Sequence, residues 1–124
     1  PLTRRGIGRS VAFSTAMTRT GDLEARRSAD TEVFYMAGRQ LPSLAERLAE
    51  VGWPADTPVV AISRAGWPDE RFSRHTVATL AEADALHHGR PTLVTVGAGA
   101  RPVLPDDAHG AHDPDQAPAP ASVA

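Results

Sequence analysis

Between residues 41 and 51 the apolar side chains Leu41, Leu44, Ala45, Leu48 and Val51 recur every three or four positions, with Pro42 at the start and Gly52 just past the end. That spacing puts them on one face of an α-helix, and proline at the entry with glycine after the exit is the usual asymmetry of helix ends. A helix with a single apolar stripe needs a surface to bury it on, and each leucine fully buried contributes roughly 1.5–3 kcal/mol. The flanking segments offer that surface. Residues 31–36 (Thr-Glu-Val-Phe-Tyr-Met) are β-branched and aromatic, and residues 59–62, entered through Asp56-Thr57-Pro58, form the continuous apolar run of a central strand. Strand, helix and strand in this order predict a right-handed crossover and an α/β domain with a mixed sheet flanked by helices.

Outside this unit, residues 10–15 alternate as a half-buried strand, and residues 17–30 lack a period and read as a loop or short irregular helix. Gly66 and Pro68 break the chain after Ser63, and residues 70–76 alternate as an edge strand. Thr76 is placed to cap a second helix with Leu80, Ala83 and Leu86 inward, ended by Gly89-Arg90-Pro91. Residues 92–96 follow as a last buried strand, and the core closes at Gly97. Beyond it the chain is Ala, Pro, Gly, Asp and His, too poor in large apolar residues to offset the entropy of ordering. The expected organisation is one α/β domain over residues 1–100 and a disordered tail over 101–124.

Several functions are excluded by composition. Without cysteine there are no disulfides, thiolate metal sites or cysteine nucleophiles, and all thirteen basic residues are arginines, which removes Schiff-base chemistry and the phosphate-loop lysine. No apolar run approaches the roughly 18 residues of a membrane span. No start methionine or secretory leader is present, so a piece of a longer polypeptide with a cytoplasmic address is expected, with neither nucleic acid nor membrane as partner. Charge is uneven: up to Asp30 the arginines Arg4, Arg5, Arg9, Arg19, Arg26 and Arg27 outnumber Asp22, Glu24 and Asp30, which suits an anionic partner.

Other constellations are weaker. His109, His112, Asp113 and Asp115 fall on the tail, without fixed geometry for a metal, and no metal is expected. The adjacent His87 and His88 point apart on a helix. Ser73, His75 and Asp69 have the residue types of a hydrolase triad without its strand-elbow-helix setting, which favours a surface strand. Gly97-Ala98-Gly99-Ala100 has no helix after it, so it ends the sheet instead of binding a dinucleotide. Trp53 and Trp67, each beside a proline, suit packing over a sheet edge better than stacking on a ligand. The exit of the second strand, Met36-Ala37-Gly38, is the best ligand position, since small side chains let a group approach the backbone.

Taken in order, Pro1-Leu2-Thr3-Arg4-Arg5-Gly6 with Arg9-Ser10-Val11, then Thr31-Glu32-Val33-Phe34-Tyr35-Met36, then Asp56-Thr57-Pro58-Val59-Val60 resemble the second half of the tetrapyrrole methylase family. The resemblance runs from Pro1 to about Gly97 and implies the C-terminal domain of that two-domain fold. It also implies methyl transfer from S-adenosyl-L-methionine to uroporphyrinogen III, twice, giving precorrin-2 for sirohaem and cobalamin. Met36 matches the donor-contacting methionine of the family's Tyr-Met-Gly motif. Ala37 and Ala65 stand where the family has glycine, so each backbone must accommodate a methyl group. Arg4, Arg5 and Arg9 become candidates for the eight carboxylates of the substrate. The family's Gly-Gly-Asp-Pro loop, its Thr-Ala pair and its proposed acid and base belong to the first half, so no catalytic residue is named here and the isolated chain is expected to be inactive. The implied partners are that missing N-terminal half and a second copy in a homodimer. The alternative is a non-catalytic binding or dimerisation module derived from the family.

Overall fold

The computed structural model describes residues 2–16 and 23–102. Five strands, β1 (Val11–Thr15), β2 (Thr31–Tyr35), β3 (Pro58–Ser63), β4 (Arg71–Thr76) and β5 (Thr92–Gly97), form one sheet in the order β1-β2-β5-β3-β4. β1 and β2 are parallel, and every other neighbouring pair is antiparallel. β4 is an edge strand, as its alternation suggests. β2 and β3 do run the same way on either side of helix α1 (Leu41–Glu50), but they are not adjacent. β5 lies between them, antiparallel to both, so the crossover through α1 spans a third strand. The reason is burial: Val94 and Val96 are fully enclosed on the α1 face and Thr95 on the other face is only 9% exposed, and a strand buried on both faces belongs at the centre of a sheet.

Side chains alternate across the sheet. Phe34 on β2, Val59 and Ala61 on β3 and Val94 and Val96 on β5 share one face and pack on Leu41, Leu44 and Leu48 of α1. Val51 lies past the last helical turn and is exposed, so the stripe ends at Leu48. The rest of this layer departs from expectation. Thr76 does cap the next segment, its side chain paired reciprocally with Thr79, but residues Val77–Ala83 form a 3-10 helix, followed by a single α-turn, α2 (Asp84–His87). Three residues per turn put Val77, Leu80 and Ala83 in one buried row. The switch to α-helical winding then carries the row from Ala83 to His87, so Leu86 is exposed and His87 is enclosed. His88 points away to the Asp84 carboxylate, 3.0 Å distant.

On the opposite face Phe13 and Tyr35 stack at 6.2 Å between ring centroids. Its far end is closed by the N-terminal strap, where the Arg4 guanidinium donates to the carbonyls of Ala98 and Arg101 at 3.0 and 2.7 Å. Gly97 closes the sheet as expected: at φ 98 it lies under the Trp53 ring, whose Nε1 donates to the Arg26 carbonyl. Residues 23–30 contain no helix; residues 17–22 and the expected tail from 103 onward, with His109, His112, Asp113 and Asp115, lie outside the described residues.

The turn after β2 is pressed closely against the turn before β5. A Cβ on Gly38 would collide with the Arg90 carbonyl oxygen and come within 2.9 Å of Thr92 Oγ1. Gly38→Ala is therefore expected to cost about 1–3 kcal/mol in urea denaturation, the usual penalty for overpacking; an unchanged midpoint would show that the two turns are not in contact.

Candidate functional site

β2 and β3 leave the sheet at the same end, on either side of the start of β5. The first residue after each strand is in left-handed conformation: Met36 at φ 59 and Arg64 at φ 49. Such a backbone in a residue other than glycine costs on the order of 1–3 kcal/mol and persists only where its surroundings enforce it. Both are enforced by neighbouring carbonyls: the Ala37 amide donates to Thr92 O at 3.2 Å, and the Arg64 amide to Pro91 O at 3.0 Å. Ala37 and Ala65 therefore do not carry the left-handed backbone; the residues before them do.

The two turns enclose a cleft of about 580 Å³. Ile62, Leu93 and Tyr35 form its base on the open face of the sheet, Met36 and Pro91 one side, and Ala65 and Trp67 the other. Arg64 brings a guanidinium, placed over the Trp67 ring at 4.9 Å and bonded to Asp69 Oδ1 at 2.7 Å. That bond holds the Asp69 carboxyl below the usual carboxylate range. A second depression of about 550 Å³ shares Met36 and Pro91 and is bordered by Arg39, Gln40 and Arg90.

Met36 and Ala65, far apart in sequence, thus meet in one cleft. Ala37 does not line it: its methyl is fully enclosed in the core, and the residue acts through its backbone. Arg4, Arg5 and Arg9 are not brought to the cleft. They precede β1 at the other end of the sheet, about 17 Å away by strand length. Arg4 is committed to the strap, and Arg9 and Ser10 give their amides to Asp30 Oδ2, which holds that carboxyl low. Of the tryptophans, Trp53 packs as expected, while Trp67 is 62% exposed and lines the cleft.

Ser73, His75 and Asp69 do not assemble a triad, because Asp69 faces Arg64 and Arg90. Instead, Ser73 Oγ lies 2.7 Å from His75 Nε2 and 2.8 Å from His87 Nε2, and His87 Nδ1 lies 2.8 Å from Ser63 Oγ. His87 was the residue least legible in sequence; serines at the core-facing positions 63 and 73 were the available signal.

A five-stranded mixed sheet packed on helices, with an apolar cleft where two strands running the same way leave it, defines an α/β domain with a candidate ligand cleft. The chain belongs to the tetrapyrrole methylase family: the family model of Tetrapyrrole (Corrin/Porphyrin) Methylases matches residues 1–81. The S-adenosyl-L-methionine-dependent uroporphyrinogen III methyltransferase of Arabidopsis thaliana chloroplasts is 38% identical over 105 residues, covering 78% of this chain and 28% of that protein. The uroporphyrinogen-III C-methyltransferase of Pseudomonas fluorescens is 34% identical over 102 residues, covering 78% and 41%. A solved uroporphyrin-III-C-methyltransferase from Thermus thermophilus superposes with a TM-score of 0.68 at 36% identity over 81% of this chain and 43% of that one. The chain spans less than half the length of each of these relatives.

The histidines make a pH prediction. Burial pushes both His87 and His75 below the ordinary value of 6.5, reinforced at His87 by His75, Arg90 and Arg71 and opposed at His75 by Glu82. The unfolded chain therefore takes up these protons first, so this stability is present above about pH 6.5 and lost as pH falls through the folded values. The unfolding free energy from urea titration should decline below pH 6.5, by at most about 1.4 kcal/mol per pH unit for each histidine. The exposed Asp30 and Asp69 act only lower, below about pH 3.8. A flat profile between pH 7.5 and 5 would contradict a neutral pair of buried His87 and half-buried His75.

Proposed function

We propose that this chain is the C-terminal portion of an S-adenosyl-L-methionine-dependent uroporphyrinogen-III C-methyltransferase, and that its cleft is half of the donor site. The observation that carries this reading is the meeting of Met36 and Ala65 in one apolar cleft, each beside a residue held in left-handed conformation or itself so held. The cleft suits the donor: about 580 Å³ is within the range of small-molecule sites, and its lining is largely apolar apart from Arg64. Met36 and Ala65 would hold the nucleoside, and the bound sulfonium supplies an activated methyl group. The chain's own part is binding and orientation: the base of Ile62 and Leu93 excludes water from one side, and the turns at Met36 and Arg64 set the width.

The reaction so proposed is two methyl transfers to uroporphyrinogen III, giving precorrin-2, in the cytoplasm. The rest of the cleft, with the acid and base, comes from the N-terminal half, in keeping with relatives more than twice as long. Arg64 and Arg39 stand beside the cleft and its neighbouring depression and join Arg4, Arg5 and Arg9 as candidates for the substrate carboxylates. A homodimer, or a non-catalytic module in its place, fits the exposed Phe13, Tyr35 and Phe72 on the open sheet face.

Calorimetric titration of the 124-residue chain with S-adenosylhomocysteine should give a Kd on the order of 1 mM or weaker, since half of the contacts are absent. A submicromolar value would mean that the whole site is present. A chimera carrying the first half of the Pseudomonas fluorescens relative ahead of this chain should methylate uroporphyrinogen III. A chimera that is folded by circular dichroism yet inactive would overturn the assignment.

A further inference from the structure

Beneath the wall of the cleft runs an unbroken line of polar contacts through an otherwise apolar layer. Arg90 Nε donates to Ser63 Oγ at 2.9 Å; Ser63 Oγ meets His87 Nδ1, and His87 Nε2 meets Ser73 Oγ, both at 2.8 Å; Ser73 Oγ meets His75 Nε2 at 2.7 Å. Ser63 and His87 are fully enclosed. On its other side the Arg90 guanidinium donates to the Asp69 carbonyl and lies 3.7 Å from Asp69 Oδ2, whose second oxygen holds Arg64. Arg64 covers Trp67, and both line the cleft. The line therefore joins the buried imidazole to the wall in four steps, His87 to Ser63 to Arg90 to Asp69 to Arg64.

We propose that His87 is a positioning residue for the cleft: through Ser63 and Arg90 it fixes the segment 64–70 that forms one wall. The proposal rests on reading the cleft as the donor site for its purpose, but not for its test, which uses no ligand.

Proton bookkeeping shows why an imidazole stands here. Ser63 has one hydroxyl proton and already accepts from Arg90, so that proton needs an acceptor, and His87 Nδ1 is the partner at hand. Assigned on that basis, His87 carries its proton on Nε2 and donates to Ser73, and Ser73 donates to His75 Nε2. Every donor then meets an acceptor in one direction. Protonating Nδ1 reverses the first link: Ser63 would face two donors, and its own proton would lose its partner. A new cation would also face Arg90 from the turn before β5 and Arg71 and His75 from β4. The carboxylates in reach do not compensate, since Glu82 of the 3-10 segment acts on His75, Asp84 on the same turn is paired with His88, and Asp69 is held by Arg64. Ser63 Oγ has a lone pair for each donor, but two cations then converge on it and the enclosed His87 cannot withdraw, so the link to Arg90 lengthens and Arg90 loosens its hold on Asp69, the partner of Arg64 over Trp67.

The test is an NMR pH titration of the full 124-residue chain, following the His87 ring, the Arg90 Nε–H signal, the Trp67 indole and the amides of residues 64–70. In the wild type the Trp67 indole and these amides should shift with the midpoint of His87, and the Arg90 Nε–H should lose about tenfold in exchange protection, the order expected for one charge-assisted hydrogen bond. His88→Asn, which removes an exposed ring bonded only to Asp84, is the control and should leave the coupling of the wall to His87 unchanged. In Ser63→Ala, His87 should still titrate while residues 64–70 no longer follow it. Arg90→Lys keeps the charge without the fork, serves if Ser63→Ala does not fold, and should also uncouple the two. No shared midpoint in the wild type, or a wall that still follows His87 in the folded variant, overturns the proposal.

Discussion

Two backbone hydrogen bonds onto consecutive carbonyls, Ala37 N to Thr92 O and Arg64 N to Pro91 O, determine the rest of the arrangement. They are available because β5 lies between β2 and β3 and runs against both, so that its first residues emerge where the other two strands end. Each bond pulls the residue after a strand into left-handed backbone, and the cleft is the space between the two turns. A sheet with β2 and β3 as neighbours would bring the turns together without that space.

The layer beneath combines an apolar core with one polar line. Phe34, Leu41, Leu44 and Leu48 bury the sheet face by shape alone, and such a surface tolerates repacking. The line from His75 to Arg90 does not, because each hydroxyl and imidazole has one proton and a fixed partner. Rigidity beside the cleft comes from this second kind of contact, and it ties a wall made of a loop to strands β3 and β4. Among the described residues no buried side-chain polar atom lacks a partner.

The fold was largely legible in the sequence, because periodicity reports burial directly. The α1 stripe, the apolar runs of β3 and β5 and the alternation of β4 each have the spacing of the element they form. Strand order was not legible, since pairing depends on residues far apart along the chain. The second helix was misread for a local reason: the row Leu80, Ala83, Leu86 keeps a spacing of three throughout, but the winding changes from 3-10 to α-helical at Asp84, and a step of four from Ala83 buries His87 where the row points to Leu86. At the site, resemblance singled out Met36 and Ala65, while Trp67 and the left-handed backbones were invisible to it. Counting charge brought forward Arg4, Arg5 and Arg9, but position along the strands decides which arginines are near the cleft.

The claim that this cleft holds the nucleoside of the methyl donor is tested most directly by intermolecular nuclear Overhauser contacts with S-adenosylhomocysteine, which report weak complexes as well as strong ones. With methyl-labelled chain, the adenine protons should show contacts to the Met36 ε-methyl and the Ala65 methyl and none to the enclosed Ala37 methyl. Contacts confined to residues at the opposite end of the sheet, around Arg9 and Asp30, would contradict it.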